Sequence, residues 1–171
     1  LGNKKAGSTE KNNRIIWGYL MLSVDDIKKI KLAMTISTIK TFEEMAFLEV
    51  VQAKENHNEE NTGNKISIDI IEPQKMIVLL DIHDDLLKII VENIYSNNID
   101  NVNEKDINDC IEELLNVLTG SFLKEYYGHN IKYKMELPQI IVDTNELSNN
   151  KEIIKFFFNA EGFLFKIKII I

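Results

Sequence analysis

Residues 104–128 read EKDINDCIEELLNVLTGSFLKEYYG, and their spacing predicts one long amphipathic helix. On a wheel turning about 100° per residue, Ile107, Ile111, Leu114, Leu115, Leu118 and Phe122 gather on the side that must be buried. Asp106, Asp109, Glu113, Asn116 and Gly120 fall in a narrow sector on the opposite side. The helix is expected to begin near residues 104–106 and to run to about Tyr126, with Gly128 as its stop signal. A single apolar face of that length needs a partner layer, and the flanking sequence supplies one.

Downstream, residues 139–142, 153–158 and 163–171 are rich in Ile, Val and Phe, and the last alternates, as strands do. Upstream, residues 65–72 (KISIDIIE) place Ile66, Ile68 and Ile70 on one face, the pattern of a half-buried strand. Pro73 ends that strand, and the nearly continuous apolar run of residues 75–82 (KMIVLLDI) suits a central one. Asp84 or Asp85 can cap a shorter helix through Leu86, Leu87, Ile90, Val91 and Ile94. Ser23 or Asp25 can cap a first long helix reaching about Val51, with Ile27, Ile30, Met34, Met45 and Leu48 at mostly helical spacing. Residues 54–64 and 96–103 read as a polar loop and an asparagine-rich linker. The order predicts an α+β domain: a mainly antiparallel sheet with two long helices and a shorter one packed on it. The last strand, apolar on both faces near its end, is expected at an edge, where it would invite pairing with another chain.

The chain has 171 residues, 44% of them hydrophobic, which suits one domain with a substantial core. We place that domain at residues 23–171, with residues 1–22 as a tag remnant or disordered lead. Within the lead, residues 14–22 (RIIWGYLML) lack the long apolar region and small-residue cleavage site of a signal peptide. Net charge is −7 with charges spread along the chain, so the basic footprint of a nucleic-acid binder is missing. No run approaches the ~20 apolar residues of a membrane span. Cys110 has no second cysteine to pair with, which favours a reducing, cytoplasmic setting.

Glu113 and Asn116 are three residues apart, so they project as neighbours from successive turns. Asparagine costs roughly 0.7 kcal/mol and glycine about 1 kcal/mol relative to alanine inside a helix. An exposed face built for stability alone would carry Glu, Lys or Ala instead. A glycine there also lets another backbone or a partner come close. From the pattern alone, a functional face and a solvated polar face with incidental Asn and Gly both remain open.

The run from Asp109 to Gly120 (DCIEELLNVLTG) resembles the D/S-x3-E-x2-N-x3-G signature of the CheC/CheX/FliY chemotaxis phosphatases. Residues 41–50 (TFEEMAFLEV) resemble the first-helix F-x-x-M segment of CheX, and residues 137–141 (LPQII) match that family's L-P-x-I-I segment. The resemblance implies a CheC/CheX-like fold and hydrolysis of the aspartyl phosphate on the response regulator CheY. Asn116 would orient the attacking water, Glu113 would dock the receiver domain, and Asp109 and Gly120 would contact the substrate protein. No cofactor of its own is implied, since Mg2+ would belong to the CheY partner; CheX relatives also form dimers by joining sheets, so a homodimer is expected. In CheC-type relatives the first helix repeats the signature, but the spacing Thr41-x3-Met45-x2-Leu48 puts apolar side chains there, which favours one catalytic face. The alternative is a non-catalytic CheY-binding module of the flagellar switch type, against which the presence of both Glu113 and Asn116 speaks.

Other groups carry less. His57, His83 and His129, even with Asp81, Asp84 and Asp85, lack the spacing of helical metal ligands, so no metal site is expected. Asp84 and Asp85 are better read as caps, and Cys110, with no base to activate it, as a structural thiol. Tyr126, Tyr127 and residues 156–158 are read as core.

Overall fold

The computed structural model describes residues 22–54, 63–95, 102–141 and 152–171. Helix α1 (Val24–Ala46) opens on a capping box in which the Asp26 N–H donates to Ser23 Oγ at 3.1 Å and the Ser23 N–H to the Asp26 carboxylate at 3.2 Å. The helix stops well short of the expected Val51. Phe47 takes the left-handed conformation at φ 55°, and the Leu48 N–H donates back to the Phe42 carbonyl at 3.2 Å, closing the helix without glycine. That turn frees strand β1 (Val50–Gln52), which helical spacing alone would assign to the helix.

Strands β2 (Asn64–Glu72) and β3 (Met76–Ile82) form an antiparallel hairpin. Helix α2 (Asp84–Ile94) follows at once, and its cap is neither Asp84 nor Asp85. His83 holds that position, its Nδ1 accepting the Asp85 N–H at 3.2 Å while its ring stacks on Phe163. Asp84 instead accepts from the Asn64 side chain at 2.8 Å. Helix α3 (Glu104–Tyr127) matches its expected bounds within a residue. Strands β4 (Lys134–Met135), β5 (Gln139–Ile140), β6 (Ile153–Ala160) and β7 (Phe163–Ile170) complete the chain, and the two-residue β4 is shorter than any alternation could reveal.

Among the described residues every pairing is antiparallel, in the order β1-β6-β7-β3-β2-β4, with β5 also on the outer side of β2. β7 therefore lies inside the sheet, between β6 and β3, and not at an edge. Its doubly apolar end is explained by burial on both faces, as Ile169 and Ile170 are 0% and 3% exposed. The expected edge-to-edge contact through β7 is ruled out; β1 and β4 lie at the ends of the sheet. β3 is central, as its apolar run indicates.

One face of the sheet meets all three helices. Register aligns Ile66, Leu80, Ile167 and Phe156 across four strands, and Ile68, Val78, Ile169 and Ile154 in the next row. These rows join Ile30, Met34, Phe42, Leu86, Ile90, Ile111, Leu114, Leu118 and Phe122 in one core cluster. The opposite face carries Lys65, Asp81, Lys166 and Phe157 in a row. Asp81, 5% exposed, pairs with Lys166 at 3.7 Å. Burial pushes its carboxyl above the ordinary range, against the pull of Lys166, Lys65 and Lys168. Among the described residues no three His, Cys, Asp or Glu side chains are grouped to hold a metal ion; His57 lies outside them.

The topology is two-fold in plan. α1, β1 and the β2–β3 hairpin correspond to α3, the β4–β5 segment and the β6–β7 hairpin, with β3 and β7 meeting in the middle. Each short segment crosses over: β1 pairs with β6, and β4 and β5 pair with β2. The buried faces of the two long helices also correspond. Ile30, Ala33, Met34, Ser37, Thr38, Thr41 and Phe42 match Ile111, Leu114, Leu115, Leu118, Thr119, Phe122 and Leu123, each pair 81 positions apart.

Candidate functional site

α3 opens with a second capping box. The Asp106 N–H donates to Asn103 Oδ1 at 3.1 Å, and the Asn103 N–H to Asp106 Oδ2 at 3.0 Å. Asp106, expected in the polar sector, is thus committed to starting the helix. The apolar side of α3 is fully used: Ile111, Leu114, Leu115, Leu118 and Phe122 are at most 2% exposed. That burial fixes the rotation of the helix and turns Asp109 and Glu113 to solvent, with Asn116 half-buried beside them. Among the described residues none of these three side chains has a hydrogen-bond or ion-pair partner. They form a polar strip free to meet another molecule.

Gly120 differs from expectation. It is buried, and a Cβ there would lie 3.3 Å from the Tyr133 hydroxyl. The space left by the missing side chain is filled by this chain's own phenol, so Gly120 offers no surface to a partner. Cys110 is buried, and desolvation pushes its thiol up to about 11, which keeps it protonated near neutral pH and fits the structural reading. Tyr126 and Tyr127 pack against the core from partly buried positions, in line with their expected role.

Two aromatic residues near the strip carry no signal in the sequence. Tyr95, at the end of α2, is raised above the usual phenol range by desolvation first and then by Cys110, Asp106 and Asp109, which places it beside the N-terminal half of the strip. Tyr133 stands at the other end. Neither lies within ten positions of Asn116 in sequence, so no spacing rule could have linked them to it.

The two-fold match corrects the counterpart of this site on α1. Leu48 lies beyond the end of α1, so Met45 and Leu48 cannot present a common helix face. At the 81-position offset, Leu32 and Thr35 stand where α3 carries Glu113 and Asn116. Leu32 is 64% exposed and Thr35 half-buried, so the two positions repeat the exposure of Glu113 and Asn116 with different chemistry. The counterpart offers neither a carboxylate nor a carboxamide, so of the two long helices among the described residues α3 alone carries the Glu–Asn pair.

The sequence matches the family described as chemotaxis phosphatase CheX over residues 66–159, more than half of the chain and including the whole strip. The chain belongs to the CheX family. No curated protein matches it significantly. Among solved structures, the chemotaxis protein CheX of Vibrio vulnificus is similar with a TM-score of 0.69 at 17% identity, covering 83% of this chain and 98% of that one. A CheC-like superfamily protein from Shewanella sp. PV-4 gives 0.67 at 17% identity, covering 87% and 98%. A CheX-CheY-BeF3-Mg2+ complex from Borrelia burgdorferi gives 0.60 at 12% identity, covering 86% and 98%. At these identities the likeness establishes the CheX/CheC fold. No helix among the described residues of this CheX-family chain is long and apolar enough to cross a membrane.

Proposed function

We propose that this CheX-family chain hydrolyses the aspartyl phosphate of a CheY receiver domain in the cytoplasm, with Asn116 orienting the water and Glu113 docking the receiver. The observation that carries the reading is the α3 strip itself, in which Glu113 is exposed and Asn116 half-buried, with no hydrogen-bond or ion-pair partner for either among the described residues. The CheX structure from Borrelia burgdorferi, solved with CheY, supports a receiver as the partner.

Hydrolysis of an acyl phosphate is mostly a matter of placing water in line with phosphorus, opposite the departing carboxylate. A carboxamide can donate to and accept from that water without titrating. Seating Asn116 on a helix locked by buried side chains limits where its carboxamide can point. Glu113, a turn earlier and more exposed, would pair with a lysine of the receiver and hold the two proteins in register. Asp109 extends the acidic edge by one more turn. The Mg2+ and the phosphorylated aspartate are expected from the receiver. Two copies of the chain are expected to associate through an edge of the sheet, where β1 or β4 lies, since β7 is internal; a species of single-chain mass at micromolar concentration would count against that.

The test is the decay of phosphorylated CheY with and without this protein. Faster decay supports the phosphatase; binding without faster decay would favour the non-catalytic module. Within the active protein, Glu113→Ala should raise KM about tenfold, the order of one charge-assisted contact, and leave kcat within about twofold. Added salt should narrow the KM difference between the two proteins. An unchanged KM would remove Glu113 from the docking role.

A further inference from the structure

Tyr133 reaches α3 from a segment that is tied down on both sides. Gly128 ends α3, and the Ile131 N–H donates to its carbonyl at 3.3 Å. Two residues after Tyr133, Met135 pairs with Ile70 of β2, and the Glu136 N–H donates to the Asp69 carbonyl at 2.8 Å. The ring of Tyr133 packs against the core cluster. Its hydroxyl ends 3.3 Å from where a Gly120 Cβ would stand, and no described residue hydrogen-bonds it. A free phenolic hydroxyl is thus held against α3 by an anchored backbone.

Asn116 is one turn before Gly120 on the same side of the helix. Residues four apart have Cβ atoms about 5–6 Å from one another, and helical Cα–Cβ bonds tilt toward the N-terminus. The hydroxyl therefore lies near the turn that links Gly120 to Asn116; no direct hydrogen bond joins it to the carboxamide among the described residues, so contact between them would run through one bridging water. An asparagine facing solvent can turn its carboxamide either way, whereas orienting a nucleophilic water requires one presentation of Oδ1 and Nδ2. A hydroxyl linked to Oδ1 through that water would select it.

We propose that Tyr133 is a positioning residue of the Asn116 site, its hydroxyl seated in the Gly120 notch and holding the Asn116 carboxamide in the orientation that receiver dephosphorylation requires. This rests on the role assigned to Asn116 above. It also gives Gly120 its purpose, since a methyl group there would press on the hydroxyl.

Tyr133→Phe keeps the ring and removes one oxygen, so the melting temperature should stay nearly unchanged. Its kcat for loss of phosphate from CheY should fall about tenfold with KM unchanged, the scale of one hydrogen bond. Gly120→Ala, which must displace the hydroxyl by a few tenths of an ångström, should also lower kcat, but should cause no further loss in the Tyr133→Phe background. In an Asn116→Ala background, Tyr133→Phe should change nothing. Wild-type kcat in Tyr133→Phe, while Asn116→Ala is inactive, overturns the inference and leaves the site assignment standing. A further loss from Tyr133→Phe on top of Asn116→Ala overturns it too, because Tyr133 would then act without the carboxamide. Full activity in Asn116→Ala overturns both.

Discussion

Asn116→Ala should lower kcat for CheY dephosphorylation at least ~100-fold while its affinity for the receiver changes little, the scale of removing one pre-positioned polar group from a reaction centre. At about 1.36 kcal/mol per decade, that loss is about 2.7 kcal/mol, which nothing else on the strip could supply. Asp109 and Glu113 are acceptors when ionised and cannot both donate to and accept from a water. Stability should move the other way. Among the described residues Asn116 makes no direct hydrogen bond, a water-bridged one to Tyr133 adds little to stability, and alanine is the better helix former by up to roughly 0.7 kcal/mol, so the variant should melt slightly higher. More stable and nearly inactive is a combination that a structural asparagine would not give. Calorimetry and phosphate-release rates on the same preparation measure both, and full acceleration by the variant would refute the mechanism.

The second large effect is on the fold. Phe122→Ala should cost about 3–5 kcal/mol, the usual loss for a buried aromatic ring whose cavity cannot collapse. Phe122 is 0% exposed, stacks on Tyr126 at 5.8 Å between ring centroids, and lies in the layer between α3 and the sheet. The midpoint temperature should drop on the order of 10 °C for a domain of this size. A loss below about 1 kcal/mol would mean that the helix is rotated differently from the described burial, and the strip would no longer face outward.

How much of this was legible in the sequence varies by element. α3 could be read almost to the residue because its apolar spacing is regular and Gly128 marks its end, although the Asn103–Asp106 capping box that starts it became visible only in the folded chain. The end of α1 could not, because Phe47 adopts a left-handed conformation that is costly for a side chain of its size and leaves no compositional trace. The central place of β3 followed from its apolar run. β7 has nearly the same character, yet its sequence alone suggests an edge, since strand order is set by pairing partners far away in the chain. On the functional side, spacing put Glu113 and Asn116 on one face of α3, as the fold has them, while the roles proposed for them come from the family resemblance. What fills Gly120 was not, because Tyr133 arrives through the turn after α3, and only the folded chain brings it there.

The exchange of short strands between the two halves bears on how the chain could be divided. β1 of the first half is completed only by β6, and β4 and β5 of the second only by β2. A break between α2 and α3 would leave two pieces, each exposing one long helix's apolar face and the inner rows of a two-stranded hairpin. Neither piece alone has enough buried surface to fold. Mixed together, each supplies the strand the other lacks, and the central β3–β7 pairing would hold them. The two pieces should therefore behave as a split protein, unstructured apart and active when co-expressed.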